Sequence, residues 1–200
     1  MSRPTKHETR EAWLEDAANY LFTDYIGELG RMEKGHSYQI SCGWPSTRSQ
    51  STAHRRLGEC WAAKACADKS TYHIFISPVL DSPVEILPIL LHELVHAVCG
   101  VEVGHKGPFK RLALALGLEG KMTETHAGKE LTRRLNTLVR VLGPYPHKAL
   151  TGPNSRKKQS TRLLKLEAKK CCGYIVRTTQ KWLDEEGLPK CPHNSELAQS

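Results

Sequence analysis

Apolar positions recur along this chain with two periods, and the change from one to the other marks out its elements. Over residues 9–28 the apolar side chains Trp13, Leu14, Ala17, Ala18, Leu21 and Phe22 return every three or four positions. That spacing lays them along one stripe of a helix, with Gly30 as its expected stop. Short runs at residues 38–42, 57–61 and 72–77, separated by turn-rich and charged segments, predict three strands. Ser82-Pro83-Val84-Glu85 then has the form of a capping box with proline at the first helical position, opening a long helix that Gly100 closes. Pro88 inside it removes the bond to the Val84 carbonyl and predicts a kink. A further helix is expected from Pro108 to Leu116, and another over residues 127–142 with Leu131, Leu135, Leu138 and Val139 or Leu142 facing inward. The fold class is α+β, a small antiparallel or mixed three-stranded sheet beside a helical layer with a cleft between them. Tyr72-His73-Ile74-Phe75 is a candidate edge of that sheet, where an extended polypeptide can add by backbone hydrogen bonds.

The long helix is apolar on nearly every side, yet it carries His92-Glu93-Leu94-Val95-His96. Helical positions four apart project about 40° from one another, so His92 and His96 can offer two nitrogens to one metal ion. Glu93 stands beside them, where a carboxylate can take a proton from water. Three polar side chains in a dry helix each need a partner, and one divalent cation serves all three more simply than three hydrogen-bond networks. A hydrolytic zinc takes a third protein ligand and keeps its fourth position for water. His105, in the glycine-rich turn Gly104-His105-Lys106-Gly107-Pro108-Phe109, is the first candidate, with Glu102 and Glu119 as alternatives.

The set His92-Glu93-Leu94-Val95-His96, Gly104-His105 and Phe109 resembles the SprT-like metalloproteases, relatives of the Spartan proteases that cut proteins crosslinked to DNA. Ser41-Cys42-Gly43-Trp44-Pro45-Ser46, Gly58-Glu59-Cys60-Trp61, Ile74-Phe75-Ile76-Ser77-Pro78 and residues 177–183 extend the likeness to phage and bacterial members over most of the chain. The resemblance implies a zincin-like domain, catalytic Zn2+ on His92, His96 and His105, and Glu93 as catalytic base. It also implies a zinc-dependent endopeptidase acting on DNA-associated proteins. The alternative is a non-enzymatic nucleic-acid-binding zinc protein that works with transcription or repair machinery. Coordination separates the two, since a fourth protein ligand makes a closed structural site.

Length and charge add a second part. Of 200 residues, 1–150 suffice for the main domain, 151–164 read as a basic linker and 165–200 as a small module. Between residues 156 and 170, Arg156, Lys157, Lys158, Arg162, Lys165, Lys169 and Lys170 stand against Glu167 alone. With a net charge of +8 and a pI near 9.2, this run makes Arg156, Lys157, Lys158, Arg162 and Lys165 candidates for phosphate contact and DNA a candidate partner. Cys171-Cys172-Gly173-Tyr174 and Cys191-Pro192-His193 resemble the zinc ribbon that many SprT-like proteins carry. The spacing departs from Cys-x-x-Cys at both knuckles. Either Cys171, Cys172, Cys191 and His193 form an irregular structural Zn2+ site or the module is a metal-free remnant built on Tyr174, Ile175, Val176, Trp182 and Leu183. The polar opening residues, and the absence of an apolar stretch of membrane-spanning length, point to a cytoplasmic protein. Accordingly Cys42, Cys60, Cys66 and Cys99 read as reduced thiols, mostly buried. His126 reads as a capping or surface residue, His54, Arg55 and Arg56 as a basic loop, and Trp44 and Trp61 as core.

Overall fold

Apolar surface on all sides commits the long helix to the centre of the first unit. The computed structural model describes residues 6–51, 53–151 and 163–199, and the chain forms two compact units, Met1–Thr151 and Gly152–Ser200. Each is mixed α/β, with small sheets and, among the described residues, five α-helices in all.

In the first unit α1 (Arg10–Tyr20) starts where the Thr9 hydroxyl accepts from the Ala12 backbone N–H, and it buries Trp13, Leu14, Ala17 and Ala18. It passes into a π-helical turn, Leu21–Ile26, and stops at Gly27 rather than Gly30, because Gly27 adopts φ 41°. Gly30 serves packing instead: a Cβ there would lie 2.9 Å from Val98 Cγ1. The strands are β1 (Ser37–Cys42), β2 (Gly58–Trp61) and β3 (Thr71–Ile76), in the order β1-β3-β2, with β1 parallel and β2 antiparallel to β3. The 72–75 segment is therefore the middle of the sheet and not its edge. Tyr72 and Ile74 are buried on one face and His73 and Phe75 half-buried on the other, whereas β2 has one side unpaired among the described residues.

Helix α2 (Pro83–Cys99) runs without a break through Pro88, and its Ile86, Leu87, Leu90, Leu91, Leu94 and Val95 are fully enclosed. No capping box forms at its start, since the Ser82 side chain makes no cap bond; the Ser82 carbonyl accepts from Glu85 and Ile86. A 3-10 turn, Val101–Val103, leads to α3 (Gly107–Ala115). Next comes a hairpin that periodicity did not reveal, β4 (Leu118–Lys121) and β5 (Glu124–Ala127). It fills the segment between the two expected helices and ends at Ala127, so the last helix begins two residues later than expected, as α4 (Lys129–Leu142). Leu131, Leu135, Leu138 and Leu142 point inward there, with Val139 only partly covered. His126 lies exposed on β5 and caps nothing.

Two tryptophans depart from the core assignment: Trp44 is 39% and Trp61 44% exposed. Trp61 sits on the edge strand with its indole N–H on Glu59. Of the four cysteines in this unit only Cys60 is buried, the others are half-buried, and all are free thiols.

The second unit is a three-stranded antiparallel sheet in the order β7-β6-β8, from β6 (Leu164–Glu167), β7 (Ile175–Thr178) and β8 (Ala198–Gln199), with α5 (Gln180–Glu186) following β7. Its core is Leu166, Ala168, Cys191 and Leu197, too small to hold a fold of this size by burial alone. No helix among the described residues is long and apolar enough to cross a membrane.

Candidate metal centre

Helix α2 presents His92 and His96 one turn apart, and positive φ angles at Gly104 (61°) and Gly107 (48°) fold the following turn back so that His105 meets them. His92 Nε2 lies 3.2 Å and His96 Nε2 3.1 Å from His105 Nε2. Bond lengths of a tetrahedral zinc site place two imidazole nitrogens about 3.3–3.4 Å apart, so the triad is within a few tenths of an ångström of that geometry. Phe109 lies under all three rings, with centroid separations of 4.9, 4.3 and 5.0 Å to His92, His96 and His105. Burial, reinforced by His105, pushes the His92 ring down to about 4. Burial with the neighbouring histidines and Arg56 takes His96 to about 3, and His105 is lowered by burial and Arg56. Neutral rings have a free lone pair each, the form in which imidazole binds metal.

The outer nitrogens decide which ring atom faces inward. His92 Nδ1 is 2.8 Å from Thr125 Oγ1 on β5; in the tautomer whose Nδ1–H donates to the hydroxyl, Nε2 keeps its lone pair for a metal. His96 Nδ1 is buried without a hydrogen-bond partner among the described residues. Three convergent Nε2 lone pairs fit a divalent cation, which leaves His96 Nδ1 still unpaired among the described residues. The three histidines form a possible metal-ion group without a fourth protein donor among the described residues. Glu102 turns back beneath Gly100 and Glu119 packs against Gly128, so neither rival joins the triad.

Glu93 is buried at the edge of β2. Its carboxyl is pushed up to about 8 by burial, with Glu59 adding to the rise and Arg56 and the Cys60 backbone opposing it. The strand accommodates it only because residue 58 is glycine, where a Cβ would come 2.6 Å from Glu93 Oε1 and 2.7 Å from Ile89 Cγ2. The Leu57 carbonyl accepts from Ser77 on the β3 side, and by alternation Gly58 and Cys60 turn their backbone groups away from β3, Gly58 toward the free edge and the Cys60 N–H to the Glu93 carboxyl.

A cleft of about 1180 Å³ opens over the triad, between Thr47, Arg48 and residues 54–60 on one side and the β4–β5 hairpin on the other. The basic loop is thus a wall of the cleft. Arg56 is ion-paired with Glu59, which also accepts from the Ser46 backbone N–H and hydroxyl, both at 2.7 Å. Burial alone would raise the Glu59 carboxyl, but Ser46, Trp61 and Arg56 outweigh it and hold it below its ordinary 4.5. Thr125, Gly58 and Glu59 are the site residues that sequence reasoning missed. Gly58 and Glu59 stand in a motif already singled out, but their relation to Glu93 and Arg56 is purely spatial.

The second unit brings together Cys171, Cys172, Cys191 and His193, with all donor atoms within 4.8 Å of one another. Cys171 and Cys172 lie in the turn after β6, where Gly173 has φ 68°. The other pair sits in a turn closed by Cys191 N–H to Ser195 and Asn194 N–H to Cys191. Cys171 Sγ and Cys191 Sγ are 3.8 Å apart, the separation of about 3.8 Å that two thiolates take on one tetrahedral zinc. Burial raises the Cys191 thiol, but backbone donors at Ser195 and His193 and the two neighbouring thiols bring it down to about 7, toward the thiolate that binds metal. Among the basic candidates, Lys165 is on β6 and paired with Glu167 at 2.9 Å. Arg156, Lys157, Lys158 and Arg162 lie outside the described residues. Comparison with family models, curated proteins and solved structures found no match for this chain.

Proposed function

We propose that the chain is a zinc-dependent endopeptidase of the SprT-like type, acting on DNA-associated proteins, with a zinc-ribbon-like second module. The observation that carries this reading is the convergence of three neutral imidazole nitrogens beside a buried carboxylate that is not itself one of the donors. His92, His96 and His105 hold the ion, and the donor set leaves a position free, which favours a hydrolytic over a closed structural site. Zinc there supplies Lewis acidity toward a carbonyl and makes water a better nucleophile near neutral pH. Glu93 accepts the proton of the attacking water and hands it to the leaving amine. Its raised affinity for protons in the buried pocket suits the second half of that task, and a neighbouring cation lowers it for the first.

Thr125 holds the His92 ring in the tautomer that exposes Nε2. An extended substrate pairs with the outward backbone groups of Gly58, beside Glu93. The test is Glu93→Gln. Turnover of casein or a quenched peptide is expected to fall by a factor of about 10² or more while zinc content stays that of the parent. Full activity in that variant refutes the reading.

A further inference from the structure

The walls of the metal-site cleft differ from the rest of the site in charge balance. Glu59 is taken up by Arg56, and Glu124 at the start of β5 lies 3.6 Å from His54 across the opening. Arg48 and Arg55 on one wall and Lys121 on the other also line the cleft, and none has a carboxylate within 4.0 Å among the described residues. The Arg55 Nε–H donates to the Ser51 carbonyl, which holds the side chain in place without neutralising it. Three cations without a carboxylate partner among the described residues thus line the cleft that holds the histidines. The lining contains no Phe, Tyr or Trp on which bases could stack. It does include the free edge of β2, whose outward N–H and C=O groups at Gly58 match a polypeptide backbone.

We infer that the cleft selects polypeptide segments carrying Asp or Glu close to the scissile bond, with Arg48, Arg55 and Lys121 as the counter-charges that read them. The inference rests on the peptidase reading and names its substrate class. Cations on two opposing walls reach residues on both sides of the bond, so acidic side chains flanking it on either side gain a partner. Because these cations are solvent-facing, each contributes modestly and the effect is screened by salt.

The experiment uses the zinc-loaded full chain and three quenched peptides with one common central sequence and acidic, neutral or basic flanks. The acidic peptide is expected to show about tenfold higher kcat/KM than the basic one at low salt, the ratio shrinking as salt is added. Arg48→Glu with Arg55→Glu and Lys121→Glu is expected to reverse that ratio; Lys121→Glu alone, on the exposed hairpin, halves the preference if the triple variant misfolds. Since a ratio is read, a general loss of activity cancels. An unchanged ratio in folded variants that still cut the neutral peptide overturns the inference and leaves the peptidase reading intact. Should the parent cut none of the peptides, the peptidase reading fails, and binding to the Glu93→Gln chain decides the rest. Tighter binding of the acidic peptide that is lost on charge reversal upholds the acidic-segment assignment. No such difference overturns it, as does a single-stranded oligonucleotide that displaces the acidic peptide and depends on the same three cations.

Discussion

Replacing Thr125 by valine removes one hydroxyl from the metal centre and almost nothing else. The side chains have nearly the same shape, so the change isolates the 2.8 Å bond between Thr125 Oγ1 and His92 Nδ1. Without it the His92 Nδ1–H is left in a largely enclosed pocket, above Phe109 and beside His96. An unmet donor of that kind costs about 1–3 kcal/mol. The ring can escape the penalty only by swinging toward solvent or by moving its proton to Nε2, and either costs a metal ligand. Metal affinity is therefore expected to fall by about 10–100-fold, the usual effect of losing the group that orients a ligating histidine. Thr125→Ser, which keeps the hydroxyl, is expected to stay within a few-fold of the parent. Competition against a chromophoric zinc chelator measures both constants on folded protein without any turnover assay. Parent-like affinity in Thr125→Val would show that the hairpin contributes nothing to holding His92 and would refute the tautomer argument.

Gly58→Ala drives a methyl group to 2.6 Å from Glu93 Oε1 and 2.7 Å from Ile89 Cγ2, so a loss of about 1–3 kcal/mol in urea unfolding is expected together with reduced peptide turnover; unaltered stability would mean that β2 does not clasp the carboxylate. For Glu59 the folded pKa lies below the ordinary 4.5, so its ionised form stabilises the fold above that value and the benefit disappears as pH falls through the folded pKa. The stability gap between parent and Glu59→Gln should accordingly be widest near neutrality and close in acid, and a gap that widens on acidification contradicts the network with Ser46, Trp61 and Arg56. In the second unit Cys191→Ser is expected to lower bound zinc by one ion per chain and to expose β6–β8 to proteolysis, both read by mass spectrometry; unchanged zinc stoichiometry would assign that unit a metal-free fold.

What could be read from the residues alone was what depends on near neighbours. The apolar envelope of residues 83–99, with two histidines four apart and an acid beside the first, is a local pattern, because helical geometry relates those positions whatever surrounds them. The stripe Trp13, Leu14, Ala17, Ala18 and the α4 leucines were visible for the same reason. Relations across space were decided by tertiary structure. His105 was one of three candidates until the backward turn at Gly104 and Gly107 brought it to 3.1 Å from His96 while Glu102 and Glu119 faced elsewhere. The β4–β5 hairpin has four-residue strands with mostly polar side chains, too short for alternation to register, yet it supplies Thr125 to a histidine 33 residues away. Strand order could not be foreseen either, since the hydrophobicity of 72–76 suits a middle strand and an edge alike until β1 and β2 claim its two sides. Hydrophobic periodicity records only which face of an element is dry; which other element dries it, and so which polar groups meet at the metal centre, is settled by packing between residues far apart in the chain.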